Sequence, residues 1–316
     1  MLVELPPPLV LRAKFCCLLN WGISTYLFCA CLIPKNIIII FLFLLIYQFM
    51  IIRRKNSHSK SDITLVTSLF NIKSKFPFNN YSSWVENLLL LNQSIVFFVD
   101  KEISQIIKSK RPKIYENKTI WIESSIEHFY TYKKFKKQFT DSYKIDRESS
   151  YHTIQLYMIW AEKCAFVKKA IYNNYFHSKF FYWIDAGYFR IREEKFFNNW
   201  PSAKKCYEDP RIIMNGIRKL SSEEIEGMKN FNISILNNII KNVNVGGGFF
   251  GGKSEYFLKF IDLYYKAIKK FIRHNLFIGK DQNLFTYVSY LNPKIVKIIY
   301  SDKKEDWYYF KKYLSQ

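Results

Sequence analysis

Residues 180–190 have the sequence FFYWIDAGYFR, an uninterrupted apolar run that ends at Asp185. Such a run predicts a strand that is buried on both faces, as strands of parallel sheets are. Ala186 and Gly187 follow the carboxylate and would let another group approach the backbone closely. An acid at the carboxyl edge of a sheet suits ligand binding in an α/β enzyme, but Asp-x-Gly is also a common turn. Taken alone, the stretch favours the turn.

The composition predicts a globular chain with an anionic partner or surface. Of its 316 residues, 49% are apolar and 19% aromatic, which argues against disorder, and the net charge is +22. Lys, Asn, Ile, Phe and Tyr are abundant together, however, as in proteins encoded by A/T-rich genes. The basic residues are dispersed and accompany no known nucleic-acid-binding pattern, so we predict no nucleic-acid partner. The six cysteines lack the spacing of a zinc site or a disulfide framework.

The N-terminal region predicts a membrane anchor. Residues 36–52, NIIIIFLFLLIYQFMII, are almost purely apolar and are followed by the basic cluster 53–55. This length is near the minimum for a spanning helix. Residues 1–35 contain a second apolar segment, so a single-pass anchor and a hairpin are both open. The side of the membrane on which the remaining chain lies is open too. A single span with a cytosolic N-terminus would place it in a lumen, whereas the basic cluster after the span favours the cytosol.

The remainder predicts a linker at 53–61 and an α/β domain at 62–316. Apolar runs at 62–70, 94–100 and 118–122 have strand character, and helical patterns at 81–91 and 151–175 alternate with them. Further along, Ser254 is predicted to cap a helix, and residues 296–300 are predicted to be the last strand. This order indicates a Rossmann-like, mostly parallel sheet flanked by helices.

Two later segments have both structural and functional interpretations. Residues 244–253, NVGGGFFGGK, hold five of the chain's ten glycines, which suits either a bulged strand with a tight turn or a loop that contacts a ligand. Asp281 and Gln282 follow Gly279-Lys280 at a predicted helix start. An acid there is usually a structural cap, and Asp281 alone favours the cap.

Several motifs form an ordered set that resembles one family. In chain order they are TLVTSLF at 64–70, FFVD at 97–100, Arg111, Tyr157-x-x-Trp160-x-x-Lys163, WIDAG at 183–187 with Tyr188-Phe189-Arg190, Trp200-Pro201, GGGFFGG at 246–252, and Asp281-Gln282. Together they resemble the HtrL/YibB-like family, considered to be glycosyltransferases with a GT-A type nucleotide-sugar-binding fold. The resemblance covers roughly residues 62 to 300 and excludes the predicted anchor.

The resemblance implies transfer of a sugar from a nucleotide-sugar donor to an acceptor hydroxyl. Asp185 would occupy the first place of an Asp-x-Asp pair that holds Mn²⁺ or Mg²⁺, but Gly187 stands in the second place, which puts the divalent cation in doubt. Asp281 would be the catalytic base and Gln282 would orient substrate. The implied donor-binding residues are Thr67, Ser68, Asp100, Lys163, Trp183 and Arg190, and the implied acceptor-binding residues are Gly247, Gly248, Phe249, Phe250 and Gly251.

The expected partners follow from this function: a nucleotide-sugar donor, a glycan, lipid or protein acceptor, and the membrane. An alternative from another class is a catalytically inactive, membrane-tethered binding protein with the same fold. The two hypotheses differ over Asp185, which an enzyme needs for turnover and a binding protein does not.

Overall fold

The computed structural model describes residues 58–315. The predicted anchor at 36–52, the apolar segment at 1–35 and most of the predicted linker lie outside them. Within residues 58–315, no helix is both long and apolar enough to cross a bilayer.

A seven-stranded sheet in the order β3-β2-β1-β4-β6-β5-β7 forms the centre of the domain. Most of its strands are short apolar runs rich in β-branched and aromatic residues, the composition expected of buried strands. The strands are β1 (Ile63–Leu69), β2 (Ser94–Val99), β3 (Thr119–Glu123), β4 (Phe180–Ile184), β5 (Ile212–Gly216), β6 (Val245–Lys253) and β7 (Val296–Tyr300).

Helices connect most of the strands. The α-helices are α1 (Phe78–Leu89), α2 (Lys101–Ile107), α3 (Tyr130–Lys144), α4 (Ile154–Asn173), α5 (Ala203–Glu208), α6 (Ser222–Lys229), α7 (Ile233–Ile239), α8 (Ser254–Arg273), α9 (Asp281–Leu291) and α10 (Tyr309–Tyr313). Short 3₁₀ helices lie at Lys108–Lys110, Lys113–Lys118, Ile126–His128 and Glu194–Phe196.

The strand pairing confirms a mostly parallel α/β sheet. β1 pairs in parallel with both β2 and β4, β2 with β3, and β5 with β7. The glycine-rich β6 is antiparallel to β4 and β5, between which it lies. The chain therefore places β2 and β3 on one side of β1 and then returns to place β4 on the other side of β1. This reversal is a topological switch point, where a crevice opens beyond the carboxyl ends of the two strands.

Two apolar layers cover the faces of the sheet. α4, α8 and α9 contribute buried side chains to one layer and α1 to the other, while side chains of the strands alternate between them. β4 supplies Phe181 and Trp183 to the first layer and Phe180, Tyr182 and Ile184 to the second. Burial on both faces explains why residues 180–184 are continuously apolar.

One predicted local feature is wrong. Ser254 does not cap α8: the helix begins at Ser254, and Lys253 occupies the N-cap position without a side-chain cap hydrogen bond. The predicted strands and helices otherwise lie within a few residues of their positions in the structure, as expected from fraying and cap ambiguity at element ends.

Candidate functional site

A cleft of about 620 Å³ opens at the switch point between β1 and β4. Ser68 and Leu69 at the end of β1 line it, as do Asp185 and Gly187 just beyond β4. Aromatic residues of α1, of α4 and of the C-terminal segment also line it. A volume of this size suits a nucleotide-sized ligand.

Asp185 is the acidic side chain that the described residues present to this cleft. Its backbone N–H donates to Gly248 O at 2.8 Å, and its carbonyl accepts from Tyr188 N at 2.9 Å. Its Oδ1 accepts from Trp183 Nε1 at 2.7 Å. These contacts fix the carboxylate, yet the side chain remains 42% exposed. Asp185 is therefore held in place and available to a ligand.

Lys163 lies beneath Asp185 and links three segments of the chain. Its Nζ lies 3.1 Å from Asp185 Oδ1 and 2.8 Å from Asp281 Oδ2, and it donates to Gly247 O at 2.9 Å. The contact with Gly247 O is a hydrogen bond, whereas the two carboxylates are paired with the ammonium by charge. The Lys163 side chain is 3% exposed and that of Asp281 is 5% exposed. Lys163 therefore acts on the cleft through its charge and through the position it gives Asp185.

The burial of this cluster shifts the pKa values of its members. Burial acts to lower the pKa of Lys163, but Asp185 and Asp281 outweigh it, so the pKa rises above its usual value and the ammonium stays charged. Burial also raises the pKa of Asp281, although Lys163 opposes the rise. Asp281 is thus a buried carboxylate whose negative charge is stabilised by Lys163.

A bulge in β6 brings the glycine-rich segment into the site. Met214 of β5 pairs with Phe250, whereas the next residue, Asn215, pairs with Gly246, so residues 247–249 have no partner in β5. Gly247 then lies against the carboxylate of Asp281, where an added Cβ would be 2.9 Å from Oδ2. Bulges commonly redirect a strand beside a functional site. The segment is a bulged strand, as one sequence interpretation had it, and Gly248 also lines the cleft.

Aromatic rings hold an exposed cation in the lining of the cleft. The guanidinium of Arg190 lies 4.7 Å from the ring centroid of Trp84, 5.0 Å from that of Phe76 and 5.7 Å from that of Tyr308. Cation–π contacts with three rings restrict the orientation of the guanidinium. Arg190 is exposed and lines the cleft. The cleft thus presents a positioned cation and a positioned carboxylate.

The structure brings together part of the predicted site. Besides Asp185, the predicted residues that line the cleft are Ser68, Lys163, Trp183, Arg190, Gly248 and Gln282. Asp281 and Gly247 lie behind Lys163, in contact with it but outside the lining. Asp281 is therefore a buried carboxylate that is separated from the cleft lining by Lys163.

Other predicted residues have structural roles. The Asp100 carboxylate caps α2 by accepting from Ile103 N and also accepts from Asn71 N. Thr67 is fully buried in β1. Phe249 and Phe250 are buried in opposite apolar layers, so neither presents a ring face to the cleft.

Gly251 and Arg111 serve packing and backbone hydrogen bonding. A Cβ on Gly251 would lie 2.2 Å from Phe181 O, so this glycine permits close strand pairing. The buried Arg111 donates to the carbonyls of Leu89, Leu91 and Gln93. Burial lowers the pKa of Arg111 to about 10, and it remains a cation that clamps the end of α1.

Sequence reasoning missed much of the cleft wall. Lys75, Phe76, Tyr81, Trp84, Trp160 and Tyr308 all line the cleft. Tyr81 and Trp84 are three residues apart on α1, a spacing that places both on one face of the helix. The sequence pattern alone does not separate a core face from a cleft wall.

The comparisons with known proteins place the chain in a family. A family model described as a bacterial protein of unknown function, HtrL_YibB, matches residues 61–314. The chain belongs to the HtrL_YibB family. A search of curated proteins found no match. The family match covers nearly all of the described residues and every cleft residue named above.

In this HtrL_YibB protein the residues around Asp185 do not suit a divalent cation. Asp185 Oδ1 already accepts from Trp183 and faces the Lys163 ammonium, which would repel a metal ion. No second carboxylate is available at 187, where a Cβ would lie 2.9 Å from Trp84 Cε3. A single carboxylate is the weak end of the range for Mg²⁺ or Mn²⁺, which would need phosphates and water for the remaining oxygen ligands. Arg190 is a cation that lines the same cleft.

A second acidic group lies near the edge of the cleft. Ligand atoms of Asp146, Glu148 and His152 lie within 4.8 Å of one another. Protein groups already occupy Asp146: Oδ2 accepts from the hydroxyl of Tyr157 and lies 2.7 Å from His152 Nδ1. Glu148 pairs with Lys280. These contacts describe an internal network that fixes the start of α4 rather than a metal centre.

Proposed function

We propose that this HtrL_YibB protein is a membrane-anchored glycosyltransferase with a GT-A type fold, which moves a sugar from a nucleotide donor to an acceptor hydroxyl. The observation that supports it best is the exposed Asp185 carboxylate, held by buried Lys163 at the switch-point cleft and accompanied by Arg190. α/β sheets of this kind bind nucleotides at such crevices.

The diphosphate of the donor would contact the exposed cations. Arg190 and Lys75 both line the cleft and are exposed, so their donors are available to phosphate oxygens. Lys163 is paired with Asp185 and Asp281, so the unpaired positive charge of the cleft comes from Arg190 and Lys75. Together these cations would stabilise the negative charge that develops on the departing diphosphate.

Asp185 is the better candidate for the catalytic base. In the proposed transfer, the bond from the anomeric carbon to the phosphate oxygen breaks, and the acceptor oxygen bonds to that carbon. The acceptor's hydroxyl proton passes to the Asp185 carboxylate, which lines the cleft whereas Asp281 does not. Gln282, which also lines the cleft, would orient the substrates.

A catalytically inactive binding protein is the second candidate. Two observations favour it: the absence of an acid at position 187 and the burial of Asp281 behind Lys163. Such a protein would use the same cleft to hold a nucleotide sugar without turnover. Arg190 and the aromatic wall would serve both functions.

A donor screen with the full-length protein tests the proposal. Nucleotide sugars with different bases and sugars are incubated with the protein in the presence of Mn²⁺ or a chelator, and released nucleotide is measured. We expect release with at least one donor, and we expect it to survive chelation. Absence of turnover together with tight donor binding would establish the inactive binding protein instead, and absence of both would contradict donor recognition.

Asp185→Asn is the decisive variant for the enzyme. It keeps the side-chain size and the contact with Trp183 but removes the base, so we expect turnover to fall by about 10²–10⁴-fold. Asp302→Asn is the matched control, since Asp302 is an exposed carboxylate that does not line the cleft. Equal activity of the two variants would show that Asp185 is not the base.

A further inference from the structure

A second groove, of about 540 Å³, lies between α4 and α8, apart from the candidate site. Four lysines line it: Lys168 and Lys169 from α4, and Lys266 and Lys269 from α8. Asp262 is the carboxylate among the lining residues. We call the surface formed by the four lysines and Tyr172 the lysine face. Its charge predicts an anionic partner.

In the described part of the chain, the four lysines are not paired with acids, unlike two lysines close to them in sequence. Lys163, on the same helix, is paired with two carboxylates, and Lys253, just before α8, is paired with Glu255. Within residues 58–315, no ion pair neutralises any of the four lysines of the lysine face. The groove therefore has an excess of positive charge, with four lysines against Asp262, for an external partner.

Aromatic side chains accompany the charge. Tyr172, on the last turn of α4, is 69% exposed, and Tyr130 at the start of α3 is 38% exposed. The ammonium of Lys168 lies 5.7 Å from the ring of Tyr172. Exposed tyrosines next to lysines are typical of surfaces that meet lipid headgroups, because the ring is apolar and the hydroxyl is polar.

The chain enters the domain beside this face. The His58 ring lies 6.5 Å from that of Tyr175 and 5.6 Å from that of Phe176, both just after α4. Only residues 53–57 separate His58 from the apolar run at 36–52. A stretch of that length extends at most roughly 20 Å. If the apolar run lies in a bilayer, its surface is within reach of the lysine face.

We propose that the lysine face docks on the surface of an anionic phospholipid bilayer. The phosphates of the headgroups would contact Lys168, Lys169, Lys266 and Lys269, and Tyr172 would enter the interfacial region. Each lysine near an anionic surface strengthens binding by about fivefold, so four together hold the domain in one orientation. The docking does not require the proposed sugar transfer.

Lysine footprinting of the full-length protein in nanodiscs tests the proposal. The protein is placed in phosphatidylcholine with or without phosphatidylglycerol, treated briefly with an amine-reactive reagent, and examined by peptide mass spectrometry. We expect the reactivity of the four lysines to fall several-fold when phosphatidylglycerol is present. Lys241 and Lys304 are exposed, lie outside the groove and serve as internal controls whose reactivity stays constant.

A pair of double variants supports the assignment. Lys266→Gln with Lys269→Gln should weaken docking by roughly 30-fold, at about fivefold per lysine, and restore the reactivity of Lys168 and Lys169. Lys241→Gln with Lys304→Gln should leave their protection unchanged. Restored reactivity in both double variants would contradict a specific docking face.

Two results would overturn the proposal. Equal reactivity of the four lysines in both lipid compositions would show that the bilayer surface does not cover them. Protection by soluble inorganic polyphosphate in phosphatidylcholine, without an effect of phosphatidylglycerol, would assign the groove to a soluble polyanion.

Discussion

Replacing Lys163 by methionine should destabilise the domain strongly at neutral pH. Methionine keeps most of the apolar length of the side chain but removes the ammonium that lies 2.8 Å from Asp281 Oδ2. Because Asp281 is 5% exposed, the variant leaves a buried carboxylate without its counter-ion. Breaking a buried pair from one side costs about 3–5 kcal/mol, and we expect the free energy of unfolding of Lys163→Met to fall by that amount.

The loss should depend on pH in a defined direction. Burial raises the pKa of Asp281, and Lys163 opposes that rise, so removal of Lys163 raises the pKa further. A carboxyl whose folded pKa exceeds its unfolded value stabilises the fold below the unfolded pKa and loses that contribution as pH rises through the folded pKa. The loss of unfolding free energy in Lys163→Met should therefore be small near about pH 4 and largest at neutral pH.

Urea unfolding of the full-length protein at several pH values measures this deficit. The matched control is Lys163→Met combined with Asp281→Asn, which removes both buried charges and should regain at least half of the lost stability. It should also show little pH dependence. A Lys163→Met variant within about 1 kcal/mol of the wild type at neutral pH would refute the buried ion pair as a support of the cleft floor.

Further predictions concern the cleft and the clamp at the end of α1. Arg111→Met should lower the free energy of unfolding by about 3 kcal/mol or more in urea titrations, because three carbonyls lose their donor, whereas Arg190→Met should change it by less than about 0.5 kcal/mol. Comparable losses in the two variants would contradict these roles. Gly187→Asp should not create Mn²⁺-dependent turnover and should cost about 1–3 kcal/mol, since its Cβ would meet Trp84 at 2.9 Å. Activity that rises with Mn²⁺ in this variant would show that a metal site fits beside Asp185.

The sequence predicted β1, β2 and β4, because burial on both faces gives their continuous apolar runs, which are typical of central strands. It did not predict β5, which lies in a stretch that was interpreted as irregular. The antiparallel direction of β6 could not be predicted in the same way. Its direction depends on pairing with β4 and β5, which lie far away in sequence.

The site was predicted in part for a similar reason. Asp185 follows directly from the end of a buried strand, so a local pattern locates it. Asp281 was predicted as the base, but its access to the cleft depends on side chains from elements far away in sequence. Lys163 of α4 lies between Asp281 and the cleft, and the sequence alone does not show this. Likewise, the tyrosine and tryptophan of α1 have a helical spacing that is identical in a core face and a cleft wall.

The most direct test of the proposed function is calorimetric titration of the full-length protein with nucleoside diphosphates, compared with the Arg190→Met variant. We expect binding of at least one nucleoside diphosphate in the presence of a chelator. The variant should bind it about 10–100-fold more weakly, the equivalent of one lost charge-assisted hydrogen bond. Unchanged affinity in Arg190→Met, or absence of binding by the wild type, would contradict recognition of a nucleotide diphosphate by this cleft.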